Sequence, residues 1–212
     1  NQVLEFIIRF DLSNELSKDL SYYAQTLKNW QATPSVDNDR IDNLLIQTTT
    51  LLKQIAKLDS ETVNNLTKQH FLTLLRQRTA ILGGTVSCDL PIFYHWQQQN
   101  PKARQTQLNE WLSEILPLYE ATQLVLYLIR NSVSVSQQLA PSGFYQQILN
   151  SDTTYQLIQV VMPPEHPCYP QISSGKQRFT IRFFEYSQIE QLPVKSQKNI
   201  NFELRCCMMS IE

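Results

Sequence analysis

The chain has 212 residues, of which 42% are hydrophobic and 17% charged, a composition typical of folded globular proteins and not of disordered ones. Its formal net charge of −1 and its pI of about 6.4 exclude an overall positive field that would attract nucleic acid or an acidic membrane. Electrostatic recognition of a partner must therefore come from a local cluster of charges.

Two long helices are predicted at the start of the chain. From Phe6 to Trp30 the apolar residues recur at spacings of three and four, which predicts one amphipathic helix. Pro34 ends that helix, and Asp37 or Asn38 can cap a second one with the same spacing.

A third helix is predicted to begin at a Ser60 cap and to end before Gly83-Gly84. Residues 85–90 look extended and are predicted to form a strand of a later β domain. Pro117 then divides the next apolar stretch into two helices, the second of which reaches about Val133.

The last third of the sequence changes from helical spacing to alternation. Three strands are predicted: Tyr155–Met162, Gln177–Glu185 and Asn201–Met209. A proline-rich loop from Pro163 to Pro170 and a polar stretch around Pro193–Lys198 separate them. The predicted fold class is therefore α+β, with a helical domain over residues 1–138 and a smaller antiparallel β domain over residues 139–212.

Catalytic and metal sites find little support in the sequence. The four cysteines show no C-x-x-C spacing, and free thiols in a reducing cytosol are the simplest interpretation. His70, His95 and His166 have no zinc-site spacing. No run of about 18 apolar residues and no signal peptide is found, so no membrane partner is expected. We expect a protein that is not an enzyme and has no metal or cofactor.

The most informative segment runs from Lys176 to Phe183. Because side chains alternate along a strand, Lys176, Arg178 and Arg182 are predicted to share one face, with Phe179 among the apolar residues of the other. Such a ladder of cations could bind an acidic side chain or a terminal carboxylate. The alternative is an ordinary solvated face, although such a face usually mixes charges of both signs.

Several strings are together similar to segments of the ZapD family. They occur in this order: Leu75-Arg76-Gln77-Arg78, Gly83-Gly84, Cys88-Asp89-Leu90-Pro91, Leu128-Ile129-Arg130-Asn131-Ser132, Gly143-Phe144-Tyr145-Gln146, Tyr169-Pro170-Gln171-Ile172-Ser173, Arg178-Phe179-Thr180-Ile181-Arg182-Phe183 and Phe202-Glu203-Leu204. Their order and spacing extend over residues 4–207.

The resemblance implies a non-enzymatic division factor, cytoplasmic and at the mid-cell division site. In that family a helical domain pairs two copies, and a β domain contributes to a basic cleft for the C-terminal peptide of FtsZ. The homodimer would thereby cross-link FtsZ filaments and promote assembly and stability of the Z-ring. The family's N-terminal strand and helix, which carry further arginines, are expected to be missing from this chain.

The resemblance also implies which residues bind the FtsZ tail. Arg178, Arg182 and Arg9 match positions of the family's cleft, and Lys176 extends the ladder. His70 stands where relatives commonly have arginine, and Tyr94 where they commonly have histidine.

Two other functions compete with this interpretation. A single-stranded nucleic-acid-binding protein could use the basic strand at residues 176–182, with Phe179 and Tyr169 as stacking groups. The overall charge argues against it, and no nucleic acid partner is expected. A small-molecule enzyme could use Cys206 or Cys207 with a histidine, although only a neighbouring arginine would lower a thiol pKa there.

Overall fold

The computed structural model describes residues 6, 7, 9–31, 37–58, 69–79, 81, 86–150, 153–185 and 192–208. Its helices are α1 (Leu12–Gln31), α2 (Asn38–Lys57), α3 (His70–Thr79), α4 (Pro91–Gln97) and α5 (Pro101–Arg130). Its strands are β1 (Ser136–Ala140), β2 (Phe144–Ile148), β3 (Tyr155–Val161), β4 (Cys168–Ser174), β5 (Arg178–Glu185), β6 (Val194–Lys195) and β7 (Ile200–Met208). The predicted α+β class is confirmed.

The chain divides into two compact units, residues 1–125 and residues 126–212. The predicted division after residue 138 falls within β1, while the helical part ends with α5 at Arg130.

In the helical unit, α1 and α2 pack against each other through their apolar stripes. Leu27, Ile41 and Leu45 are buried between them, as the spacing of the sequence requires. The predicted cap of α2 is confirmed at Asp37, whose carboxylate accepts a hydrogen bond from the Arg40 N–H at 3.2 Å.

The prediction of one helix from Phe6 to Trp30 is wrong at its start. Asp11 has a φ of 45°, which interrupts the helix between a short N-terminal turn and α1. The Asp11 carboxylate accepts a hydrogen bond from the Asn14 side chain at 2.6 Å. The predicted Ser60 cap and Gly83-Gly84 lie outside the described residues.

Two further predictions in the helical part are wrong. Residues 86–89 form a turn, closed by the N–H groups of Asp89 and Leu90 donating to the Val86 carbonyl, so no strand begins there. Pro117 lies inside α5 and does not divide it. A proline in a helix removes one backbone hydrogen bond, and burial of Leu118 and Ala121 immediately beyond it offsets that loss.

Among the described helices, α5 alone is long and apolar enough to cross a membrane, with a mean hydropathy of 1.2 over 18 residues, of which 28% are buried. This is a property of length and composition only. A helix that packs against other protein surfaces has the same property, because a protein interface and a lipid bilayer both favour apolar side chains.

The β unit consists of two antiparallel sheets. One has the strand order β1-β7-β3, and the other has the order β2-β5-β4 with β6 also pairing with β5. Their buried side chains form one core: Ala140, Cys168, Phe179, Ile181, Phe183, Ile200, Phe202 and Leu204. The alternating strands thus place one apolar face of each sheet inside.

The three predicted strands are present, with ends that differ by one residue where they are described. The proline-rich loop was predicted too long, because Cys168 to Pro170 belong to β4. Pro170 is tolerated there because β4 is an outer strand of its sheet. The strands β1, β2, β4 and β6 were not predicted. β1, β2 and β6 are short with weak alternation, and β4 begins inside the predicted proline-rich loop.

One glycine fixes the entry into β2. Gly143 has a φ of 66°, and a Cβ at this position would overlap the carbonyl oxygen of Ser196. Only glycine combines this backbone conformation with such a close approach. The end of the β1–β2 connection is thereby held against the segment that follows β6.

Candidate functional site

The outer face of the four-stranded sheet carries the arginines predicted from the sequence. Arg178 is exposed and Arg182 half-buried, whereas Phe179, Ile181 and Phe183 between and beside them are 0% exposed. The predicted alternation is confirmed for β5, because its apolar residues fill the core.

Lys176 does not continue this ladder. It lies in the turn between β4 and β5, because β5 begins only at Arg178. The turn nevertheless brings Lys176, Arg178, Gln146 and Ile148 to the walls of one open cavity of about 670 Å³. The lysine is therefore beside the strand and not on its face.

Both arginines have neighbours on β2. Arg182 stands opposite Phe144 in the register, and its guanidinium carbon is 4.8 Å from the centre of the Phe144 ring. At this distance the guanidinium and the ring form a cation–π contact. Arg178 stands opposite Ile148, with which it lines the cavity. Both side chains therefore have partners on β2.

Residues paired directly across neighbouring strands point to the same side of a sheet. The register therefore places these residues on the outer face together with the arginines: Phe144, Gln146, Ile148, Tyr169, Gln171, Ser173, Arg178, Thr180, Arg182, Phe184 and Lys195. None of them is acidic. The ion pairs among the described residues are Lys18–Glu15 and Lys198–Glu185, and neither includes Arg178 or Arg182. Within the described part of the chain, the two arginines are thus available to a carboxylate from outside.

Lys195 is a member of this face that the sequence did not reveal. It pairs with Phe184 in the register and is exposed. Phe184 in turn stacks on Tyr169, with ring centres 5.8 Å apart. A two-residue strand has too little alternation to be recognised, so only its pairing with β5 shows where the lysine lies.

Three further predicted residues belong to the helical unit. Arg9 is exposed, with its guanidinium carbon 5.6 Å from the centre of the Phe10 ring. His70 begins α3 and Tyr94 lies in α4, both exposed. Their participation in one cleft with the basic strand stays a prediction.

Among the groups invoked for the competing functions, Tyr169 is exposed, whereas Phe179 and Cys207 are buried and Cys206 is partly buried. Phe179 is fully buried, so it cannot stack on a base. Burial raises the pKa of the Cys206 thiol and is also the main cause of the raised pKa of Cys207. A raised pKa leaves less of the reactive thiolate.

The helical unit has an apolar groove of about 840 Å³, with walls formed mainly by α3, α4 and α5. Four aromatic rings from these helices stack within 6.5 Å of a neighbour: Phe71, Phe93, Trp96 and Trp111. Beside them, a stripe of α5 is exposed at Leu108, Leu112, Leu116 and Tyr119. A patch of this kind is typical of a surface that another protein covers.

The family model described as ZapD, a cell division protein, matches residues 1–182. The match includes α1 to α5, β1 to β4 and the first part of β5, and therefore both arginines of the outer face.

Proposed function

The chain belongs to the ZapD family of cell division proteins, and from this premise we propose that it binds the C-terminal tail of FtsZ and cross-links FtsZ filaments as a homodimer. The single observation that carries the proposal is the outer face of the four-stranded sheet. Its register brings Arg178, Arg182 and Lys195 together without a carboxylate. It acts as a receptor and not as an enzyme, in the cytoplasm at the mid-cell division site.

The face suits the tail of a filament-forming protein. Arg178 and Arg182 are four residues apart on one strand, about 13 Å, so an extended acidic segment can contact both. Guanidinium–carboxylate hydrogen bonds are stronger than neutral ones. A disordered tail loses chain entropy on docking, which keeps a single contact moderate in affinity.

Dimerisation is supported by the apolar surface of the helical unit. The exposed side chains of α5 recur at spacings of four and three, Leu108, Leu112, Leu116 and Tyr119, the pattern with which one helix packs on another. A second copy would cover this stripe and fill the adjoining groove. Two tail-binding faces would then belong to one particle, and engagement of two filaments adds avidity.

The test is binding of a synthetic FtsZ C-terminal peptide, measured by fluorescence anisotropy. The double variant Arg178→Glu, Arg182→Glu should lose at least about tenfold in affinity, because attraction becomes repulsion at both positions. Raising the salt concentration should weaken binding to the unmodified protein, since exposed charges are screened.

The matched control is Lys28→Glu, Lys53→Glu, which makes the same change in net charge at two exposed lysines of α1 and α2. It should bind the peptide like the unmodified protein. Equal affinity of both double variants would refute the proposal. Equal bundling of FtsZ filaments with and without the C-terminal peptide would also refute it.

A further inference from the structure

The outward edge of β2 is open among the described strands of its unit. β2 is the first strand of the order β2-β5-β4, and it pairs only with β5. The Leu149 N–H donates to the Gln177 carbonyl at 2.8 Å, next to the Ile148–Arg178 pair. In an antiparallel ladder every second residue points its backbone groups away from the partner. Gln146 and Ile148 therefore direct theirs to the open edge.

The opposite edge of the same sheet is different. The Gly175 N–H donates to the Arg178 carbonyl at 2.9 Å. The backbone groups of Pro170, Ile172 and Ser174 therefore point away from β5, toward the outer edge of the sheet. Pro170 has no N–H and blunts this edge. β2 has neither a proline nor a charged residue. Of the two described edges of this sheet, only the β2 edge thus offers an uninterrupted row of backbone donors and acceptors.

The two arginines extend the β2 edge into a charged site. Arg182 reaches over Phe144, and Arg178 shares its cavity with Ile148 and Gln146. A strand added beside β2 would lie about 10 Å from β5, twice the spacing between neighbouring strands. An arginine that leans across β2 can meet an acidic side chain of the added strand at that separation. Ile148, which is 76% exposed on β2, can make apolar contact with the added strand.

We infer that the FtsZ tail binds as an added strand along β2, with its backbone hydrogen-bonded to Gln146 and Ile148 and its acidic side chains directed to Arg178 and Arg182. The inference rests on the proposed function and adds the binding mode. The tail is recognised as an extended acidic peptide. Main-chain pairing supplies affinity, and alternate side chains supply specificity.

The first experiment removes one edge donor from the full chain. Ile148→Pro deletes an outward N–H and leaves the β2–β5 ladder intact, because that ladder uses residues 145, 147 and 149. The FtsZ C-terminal peptide should bind at least about tenfold more weakly, from a lost hydrogen bond and the obstruction by the ring. Ser174→Pro, its counterpart on the β4 edge, should bind normally. Unchanged affinity of a folded Ile148→Pro protein would overturn the inference.

The second experiment leaves the protein unmodified, so it tests strand addition even if the Ile148→Pro variant fails to fold. Two FtsZ peptides are N-methylated, one on its odd and one on its even amides. Strand addition predicts that one peptide loses at least about tenfold in affinity and that the other binds like the parent peptide. Equal affinity of the two would overturn the inference.

The outcomes separate this inference from the proposed function. If the Arg178→Glu, Arg182→Glu variant loses binding while the methylated peptides bind alike, the tail site stands and the strand mode fails. If that variant binds normally, the tail site itself fails. A changed sedimentation coefficient of unliganded Ile148→Pro would assign the edge to a second copy of this chain and overturn the inference.

Discussion

Within the part of the chain that the structure describes, Arg182 has an aromatic partner and no acidic one. The carbon of its guanidinium lies 4.8 Å from the centre of the Phe144 ring, and the residue is half-buried on the sheet. A cation–π contact orients the guanidinium without neutralising it. In the proposed complex, an incoming carboxylate would therefore meet a charge that is already directed toward β2.

Ser196 links β6 to the end of β5. Its side chain is buried and donates a hydrogen bond to the Glu185 carboxylate at 2.8 Å, and Lys198 approaches the same oxygen at 3.2 Å. The Ser196 hydrogen bond is the main cause of a lowered Glu185 pKa, with Lys198 contributing. The two contacts hold β6, and with it Lys195, beside the outer face.

A prediction about pH follows from this hydrogen bond. A lowered pKa in the folded state stabilises the protein above the ordinary glutamate value of 4.5, and that stabilisation is lost as pH falls through the lowered pKa. Ser196→Ala should therefore reduce the free energy of unfolding most at neutral pH and less in acid. Urea unfolding at both pH values measures the difference.

The control for this prediction is the same serine substitution in a Glu185→Gln background. Without the titrating carboxylate, the effect of Ser196→Ala on the free energy of unfolding should no longer change between the two pH values. A serine effect that varies with pH equally in both backgrounds would contradict this assignment.

Among the elements, α5 combines a core helix with an exposed apolar stripe. Leu118 and Ala121 are buried, while Leu112, one turn earlier than Leu116, is 56% exposed. The length and apolar composition of α5 would also suit a membrane span. They are equally those expected of a helix whose exposed stripe is covered by a second copy.

At the scale of this helix, we predict that Leu112→Glu weakens the homodimer. A charge in the centre of an apolar interface is poorly solvated, and such anchor positions commonly change the dissociation constant by about 100-fold. Sedimentation velocity measures the change. Ser113→Glu, an exposed neighbour that does not line the groove, should leave the association unchanged. A fully dimeric Leu112→Glu protein would place the interface elsewhere.

For the whole molecule, the proposed tail binding and the proposed bundling are expected to be separable. A single tail site can occupy a filament, but cross-linking requires two sites in one particle. The surface proposed for dimerisation and the face proposed for tail binding belong to different units of the chain, so a substitution in one can be studied without altering the residues of the other.

We therefore predict that monomeric Leu112→Glu binds the FtsZ peptide with unchanged affinity but no longer bundles filaments, because avidity is lost. Peptide anisotropy and filament light scattering measure the two properties. Arg178→Glu, Arg182→Glu should fail in both assays while it stays dimeric. Bundling by a proven monomer would mean that one chain carries two filament-binding sites.

The local patterns of the sequence determined the fold class, the presence of β5 and the side of β5 that carries Arg178 and Arg182. These depend on periods of two and of three to four residues, which are properties of the strand and the helix themselves. The continuity of α5 through Pro117 could not be read in this way, because burial of its neighbours decides it.

Only the tertiary structure decided what surrounds the arginines. Lys195 joins their face through pairing with Phe184, Lys176 leaves it at a turn, and β2 presents an open edge because no described strand of its unit covers it. Each of these depends on hydrogen bonds between segments distant in sequence. Alternation fixes which side of a strand a residue occupies, but only pairing fixes its neighbours.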